Sequence, residues 1–232
     1  MNEGAQSPAD GAEASVDDTP ALPASAGLPE RLRLETRDLH AATERAGAMA
    51  ALLAGRLPQP GYCTMLRNLH ALYSALEAAL EQRRHDPAVA PLQAGALHRA
   101  AALAADLRCL HGPRWADELP LQPATTAYVA RLQALAASAS AALVAHAYVR
   151  YLGDLHGGQV LKRLVTRHYA LTGDAGTRFY DFGPEPEVLA LRQRLRAALG
   201  GLPLASATQD EVVAEARWAF EQHQRLFEEL VG

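Results

Sequence analysis

Apolar side chains recur every three to four residues along most of the chain, which is the spacing of one face of an α-helix. The clearest run, over about residues 61–84, carries the stripe Leu66, Leu69, Leu72, Tyr73, Leu76 and Leu80. No window keeps the strict alternation of a β-strand, and no internal repeat is present. The sequence therefore predicts an all-α single domain. We expect its helices near residues 30–54, 61–84, 95–110, 123–136, 139–171, 187–199 and 209–230.

The first 28 residues differ from the rest in composition. They are rich in Ala, Ser, Pro, Gly and Asp, and they lack the basic and apolar segments of a secretory signal. We expect residues 1–28 to be a disordered acidic tail and residues 29–232 to form the helical domain. The uncharged run 132–149 is long enough to span a membrane, but it is alanine-rich and includes His146. We therefore expect no membrane-spanning segment.

Charge and cysteine content exclude several classes of function. The net charge is −4, and six acids with no Lys or Arg lie in residues 1–30. The remaining chain is close to neutral, whereas nucleic-acid binding requires a clustered basic face, so we expect no nucleic-acid partner. Cys63 and Cys109 form neither a disulfide framework nor a metal-binding motif, which favours a reduced, cytoplasmic protein.

Three glycines interrupt the helical pattern of YVRYLGDLHGGQVLKRL, residues 148–164. Each interior glycine destabilises a helix by roughly 0.8–1 kcal/mol relative to alanine. Gly153 and Gly157 are four residues apart and share a helix face, with Gly158 beside them, so another group can approach the backbone closely. That group could be a second helix or a flat ligand, and a simple kink is a third explanation. Asp154 favours the ligand, because an acid in an apolar helix needs a partner.

A flat apolar ligand suggests a porphyrin, and His40 is the histidine best suited to hold its iron. Glu44, one helical turn later, could accept the proton of the other ring nitrogen and fix the ring's orientation. Arg33 and Arg37 lie on roughly the same face and could meet the carboxylates of an amphipathic ligand. A solvated basic face and a merely packed histidine are the alternatives, and these residues alone leave them open.

These segments resemble a known family. AHAYVRYLGDLHGGQVLKRL is similar to the signature helix of the haem oxygenases, with its GDxxGG motif, and LHAATE is similar to their proximal-histidine segment. LHALYSALEAAL, LHRAAALAADL followed by GPRW, and LFEEL match in the same order, from about Leu28 to Val231. The resemblance implies a single-domain haem oxygenase-like fold, with haem between a proximal helix and a kinked distal helix.

The resemblance also implies a role for each site residue. His40 would be the proximal ligand of the haem iron, hydrogen-bonded to Glu44. Asp154 would organise a distal water network that delivers protons to the reacting oxygen. The other residues implied on this catalytic side are Arg150, Tyr73, Gly153 and Gly157. The residues implied in haem binding are Arg33, Arg37, Tyr148, Arg192 and Arg196 near the propionates, Gly158 in the distal helix with its backbone close to the haem, and Phe220 and Phe227 in the apolar wall.

Two positions depart from the family's pattern. His156 stands where relatives commonly have a small residue, often serine, and it could join the distal water network or approach the iron. His223 stands where many relatives have asparagine, at the edge of that network, and its charge would follow pH. We expect both histidines to tune the function rather than abolish it.

The implied reaction is the oxidative opening of haem to biliverdin, carbon monoxide and ferrous iron, with haem as both substrate and cofactor and O2 as oxidant. No GxGxxG follows a strand, so we expect no bound flavin or NAD(P). Electrons would then come from a ferredoxin or a flavin reductase, and we expect a monomer. The alternatives are a non-catalytic haem-binding protein of storage, transport or sensing, a structural helical protein, and a related fold acting on another small molecule.

Overall fold

The computed structural model describes residues 26–138 and 141–232, and within them every regular element is helical. The all-α prediction is confirmed, whereas residues 1–25 of the predicted tail lie outside the described residues. The α-helices are α1 (Leu28–Glu35), α2 (Arg37–Glu44), α3 (Gly47–Leu53), α4 (Gln59–Gln82), α5 (Ala100–Leu110), α6 (Trp115–Glu118), α7 (Pro123–Ala137), α8 (Leu143–Ala147), α9 (Gly153–His168), α10 (Glu185–Gly200) and α11 (Ser206–Glu229). Short 3-10 helices lie at Ala90–Leu92, Gly95–Leu97 and Arg178–Tyr180.

The first predicted helix, residues 30–54, is three helices. The buried Thr36 separates α1 from α2, and its hydroxyl donates to the carbonyl oxygen of Leu32 at 2.6 Å, a bond that bends helices. Gly47, with φ +32°, begins α3. The apolar periodicity continues through both breaks because all three helices pack on α11. The pattern of apolar residues therefore did not reveal the breaks.

The predicted helix over residues 139–171 also divides. Its described part consists of α8, a π-helical segment at Tyr148–Leu152, and α9. Single-turn π segments are a recognised cause of helix kinks and are frequent at functional sites. The departure from α geometry therefore lies directly before Gly153, rather than at the three glycines.

Two 24-residue helices organise the core. Helix α4 packs against α5 and α7, and its predicted apolar stripe is buried throughout. Helix α11 packs against α1, α2, α3, α7 and α8, so it supports both sides of the cavity described below. None of the helices in the described ranges is both long and apolar enough to cross a membrane.

A buried carboxylate fixes the segment on which α9 rests. Asp106 of α5 accepts the backbone N–H groups of Arg178 and Phe179 at 3.0 and 2.8 Å. These bonds anchor the 3-10 helix Arg178–Tyr180, and a Cβ added at Gly158 would meet the Tyr180 carbonyl oxygen at 3.5 Å. Asp106 thereby holds the surface against which α9 packs.

A second buried network holds α8 against α7 and α11. Arg131 donates to both carboxylate oxygens of Glu215, and His146 contacts Glu215 Oε1 at 3.2 Å and the Tyr128 hydroxyl at 2.8 Å. Burial alone would raise the pKa of Glu215, but the hydrogen bonds from His146 and Arg131 lower that pKa to about 2. The His146 Nε2–H therefore donates to an ionised carboxylate.

Replacing Gly47 by alanine tests how tightly α2 and α3 are held on α11. The new Cβ would overlap the backbone carbonyl of Phe227, and a positive φ disfavours any L side chain by roughly 1–2 kcal/mol. We expect Gly47→Ala to lower the free energy of unfolding by at least about 2 kcal/mol in denaturant titrations. The control is Gly95→Ala, where a Cβ meets nothing within 4 Å. Equal stability of the two variants would contradict this packing.

Candidate active site

A cavity of about 670 Å³ lies between α1 and α2 on one side and the π segment with the start of α9 on the other. This volume is in the range of small-molecule and cofactor sites. The predicted site residues that line it are Arg33, Arg37, His40, Tyr148, Gly153, His156, Arg196 and Phe220. The lining residues that the sequence did not single out are Gly27, Pro29, Glu30, Thr36, Val149 and Leu152.

Helix α2 presents His40 to the cavity. This helix has no buried residue, and the His40 side chain is 53 % exposed, with its ring edge-to-face against Phe220 at a centroid distance of 5.8 Å. The predicted hydrogen bond to Glu44 is not formed here, because His40 Nδ1 and Glu44 Oε1 are 4.0 Å apart. Both side chains are more than half exposed, so water competes for the pair. The imidazole is therefore accessible to a ligand.

The glycines of α9 fall into two groups. A Cβ at Gly153 or Gly157 would meet nothing within 4 Å, so this face of the helix borders open space, but of the two only Gly153 lines the cavity. Gly158 is buried against Tyr180 instead and does not line the cavity. The prediction that the Gly158 backbone faces the ligand is therefore corrected: its missing side chain permits close packing of α9 on the 3-10 helix Arg178–Tyr180.

Behind this face, Asp154 belongs to a compact polar network. The Tyr73 hydroxyl donates to Asp154 Oδ2, and Arg150 donates to Asp154 Oδ1 at 3.2 Å and to the Tyr73 oxygen at 3.0 Å. None of the three residues lines the cavity, so the network lies one layer behind its wall. Burial raises the pKa of Asp154, and the positive charge of Arg150 opposes this rise.

His223 extends the network to α11. Arg150 Nη1 lies 3.0 Å from His223 Nε2, and since a guanidinium can only donate, Nε2 must accept. The proton is then on Nδ1, which donates to the Ala219 carbonyl oxygen at 2.7 Å. Burial and the charge of Arg150 hold the pKa of His223 well below its usual range. The expectation that its charge would follow pH is therefore corrected, because the ring stays neutral.

Three further predicted residues lie outside the cavity lining. Arg192 of α10 donates to the Leu155 carbonyl oxygen at 3.1 Å and so ties α10 to α9. Phe227 is buried beside the ring of His223, and Glu44 lies on the solvent side of α2. In this structure these three residues belong to the helices around the cavity but do not contribute to its lining.

Arginines line the cavity from three helices, α1, α2 and α10. Arg33 forms a two-pronged ion pair with Glu30, at 2.6 and 3.1 Å, and Arg196 Nη2 lies 3.3 Å from His156 Nε2. Arg37 is exposed and has no hydrogen bond or ion pair with the part of the chain that the structure describes. Nothing in the sequence singled out Glu30, because an acid three residues before an arginine is a common pair on helix surfaces.

The residues present fit an iron porphyrin. An accessible imidazole on one wall, backbone left open at Gly153 on the opposite wall, and cations along the cavity match a flat macrocycle with a central metal and edge carboxylates. A buried acid with a raised pKa behind the glycine wall is the kind of group that moves protons in enzymes.

Comparison with known proteins agrees with this geometry. The family described as "Heme oxygenase" matches residues 26–229. "Heme oxygenase 1" of Nostoc sp. strain PCC 7120 is 34 % identical over 208 residues, covering 90 % of this chain and 87 % of the relative. Human "Heme oxygenase 1" is 36 % identical over 205 residues, covering 88 % and 71 %. A crystal structure of heme oxygenase-2 from Synechocystis sp. PCC 6803, in complex with heme and NO, superposes with a TM-score of 0.85 at 35 % identity, covering 88 % and 85 %.

Nitrogen NMR of histidine-labelled protein can test the state of His223. We expect a neutral ring protonated on Nδ1, with no titration between about pH 8 and about pH 6, because burial and Arg150 depress its pKa. A histidine-containing peptide in the same tube supplies the reference titration. A His223 signal that moves with that of the peptide would refute the assigned hydrogen-bond direction.

Proposed function

This chain belongs to the haem oxygenase family, whose members degrade haem, and from that premise we propose how its own residues carry the reaction. Haem, with O2 as oxidant, is opened to biliverdin, carbon monoxide and ferrous iron in the cavity between α2 and α9. The observation that carries this proposal is the pairing of His40 and the Gly153 backbone across one cavity, with the buried Asp154 network directly behind.

The proposed binding site uses both walls of the cavity. His40 holds the iron through the ring nitrogen that faces the cavity, and Glu44 can orient the ring by approaching its other nitrogen. Gly153 and Gly157 let the macrocycle lie close to the backbone of α9. Tyr148 and Phe220 supply the polar edge and the apolar wall, and the nearby cations Arg33, Arg37 and Arg196 meet the propionates.

Bound haem supplies the redox-active iron and is itself the ring that is oxidised. The protein supplies orientation, exclusion of bulk water and protons. Arg150 stays charged, since Tyr73 and Asp154 keep its pKa raised despite burial, and His223 offers the network only its lone pair. Asp154 is therefore the group whose carboxyl can take up and return a proton, through water on the cavity side.

Electrons must reach the site from a separate protein, as they generally do in this family. We propose a ferredoxin or a flavin reductase as donor, with no flavin or NAD(P) bound to this chain. The donor would act on a monomeric, cytoplasmic enzyme. One observation supports the cytoplasmic location: Cys63 and Cys109 are free thiols, as in reducing compartments.

The replacement Asp154→Asn tests the proposed proton chemistry. The amide keeps the size of the side chain but cannot carry the proton, so we expect ring opening to slow by about 10²-fold or more while haem still binds. The measurement follows loss of the haem absorption band and growth of biliverdin under air with a reductase present. The control Asp174→Asn alters an exposed acid paired with Arg178 and should turn over normally.

Turnover by Asp154→Asn at the rate of the unaltered protein would remove Asp154 from the mechanism. Persistence of the haem band in the unaltered protein, with electrons supplied, would favour a haem-binding protein over an enzyme. His40→Ala separates binding from chemistry in the same assay, because it should change the haem spectrum before any reductant is added.

The replacement Glu30→Gln tests the proposed propionate contacts. Glu30 lines the cavity and occupies Arg33, so removing its charge frees a cation and removes repulsion of the propionates. We expect haem to bind severalfold more tightly in optical titrations at low salt, with the gain shrinking as salt is added. The matched control is Glu81→Gln. Glu81 lies near the end of α4 and pairs at the same spacing with Arg84. Unchanged affinity in Glu30→Gln would place the propionates elsewhere.

A further inference from the structure

The imidazole of His156 lines the cavity, and the reaction proposed above gives it no task. Its Nδ1 lies 2.6 Å from the Leu152 carbonyl oxygen, and its Nε2 lies 3.3 Å from Nη2 of Arg196. Since arginine can only donate, Nε2 accepts a hydrogen bond from Arg196. The ring proton is then on Nδ1, which donates to the Leu152 carbonyl oxygen. The ring is thus fixed by its own helix, with its lone pair directed at a cation of α10.

Arg196 is already assigned to the propionates, and we propose that His156 is a second donor beside it, so that one propionate carboxylate of haem joins α9 to α10. This inference rests on the proposed function, because it requires haem as the substrate. Arg196 lines the same cavity, and its one hydrogen bond to the described residues uses Nη2, which leaves its remaining N–H groups for a carboxylate. Guanidinium–carboxylate pairs with two parallel bonds are among the strongest polar contacts in proteins.

The geometry favours a carboxylate over iron as the partner of His156. Ligation of the iron would require Nε2 to leave Arg196 and to turn toward the centre of the cavity. The bond from Nδ1 to Leu152 opposes that turn. A carboxylate binds with less movement, because it needs only to enter between two groups that already face each other.

A proton must accompany the carboxylate. Neutral His156 presents a lone pair on Nε2, which repels an anion, so the site forms when Nε2 takes one proton from solvent while Nδ1–H stays on Leu152. Burial, with Arg192 and Arg196 of α10 and His40 of α2, lowers the pKa of His156 in the haem-free protein. An adjacent propionate raises that pKa, because it favours the charged ring.

The direction in which haem affinity changes with pH follows from the difference between the pKa of His156 in the free protein and in the complex. The complex binds one more proton than the free protein between the two pKa values of His156, so affinity for haem increases as pH falls through the pKa of the complex. Glu30 of α1, which also lines the cavity and acts on Arg196 electrostatically, is the acid that shares this environment. Its carboxylate is present in every variant below and does not distinguish them.

The test measures the affinity of ferric haem by optical titration between about pH 9 and about pH 7, without reductant. We expect the unaltered protein to gain affinity as pH falls, by up to about tenfold per pH unit. His156→Gln keeps an N–H donor that does not titrate, so its affinity should lack this pH dependence. His156→Leu should lose affinity severalfold at the lower pH. His156 is exposed, so both variants should fold, and thermal unfolding checks this.

The dimethyl ester of haem, which has no carboxylates, supplies the matched control ligand. We expect the three proteins to bind it alike. Equal affinity of the unaltered protein and His156→Leu for haem at every pH overturns the inference while leaving the proposed function intact. A six-coordinate bis-imidazole spectrum in the unaltered protein that disappears in His156→Gln also overturns it, because His156 would then be an iron ligand. Failure of all three proteins to bind haem rejects the proposed function itself.

Discussion

The buried charge of Arg150 is the constraint on which the distal side of the cavity depends. A guanidinium inside a protein is tolerated only when its N–H groups are satisfied and its charge is balanced. Asp154 of α9 balances the charge and accepts one N–H group, and Tyr73 of α4 and His223 of α11 each accept another. Removing the acid would leave an unpaired buried charge, which typically lowers the free energy of unfolding by about 3–5 kcal/mol. The same bonds that position Asp154 therefore also join three helices.

The π-helical segment allows one short stretch of chain to serve both the cavity and this network. Of its residues, Tyr148, Val149 and Leu152 line the cavity, while Arg150 and Tyr151 point into the protein. The wider turn makes this division possible without a break in the chain's hydrogen bonding. The local irregularity therefore coincides with the functional site.

The features that could be predicted from the sequence are those that depend on the local spacing of residues. The buried stripe of α4 and the shared helix face of Gly153 and Gly157 followed from spacing alone, which left open what that face meets. The role of Gly158 did not, since spacing cannot distinguish a ligand from the backbone of Tyr180, which lies more than twenty residues away. The bond between His156 and Arg196 was beyond reach for the same reason: it depends on how α10 returns to α9.

Two of the three arginines that line the cavity, Arg33 and Arg196, already have polar partners in the haem-free protein. Glu30 neutralises Arg33, and the lone pair of His156 faces Arg196. Binding of a dianionic substrate is therefore an exchange of partners, and its free energy is a difference between polar contacts of similar kind. Exposed pairs are worth little, so this difference is modest. Because ring opening leaves both propionates on the product, modest propionate contacts keep product release possible, while the proposed bond from His40 to the iron, which the product gives up, would supply affinity for haem alone.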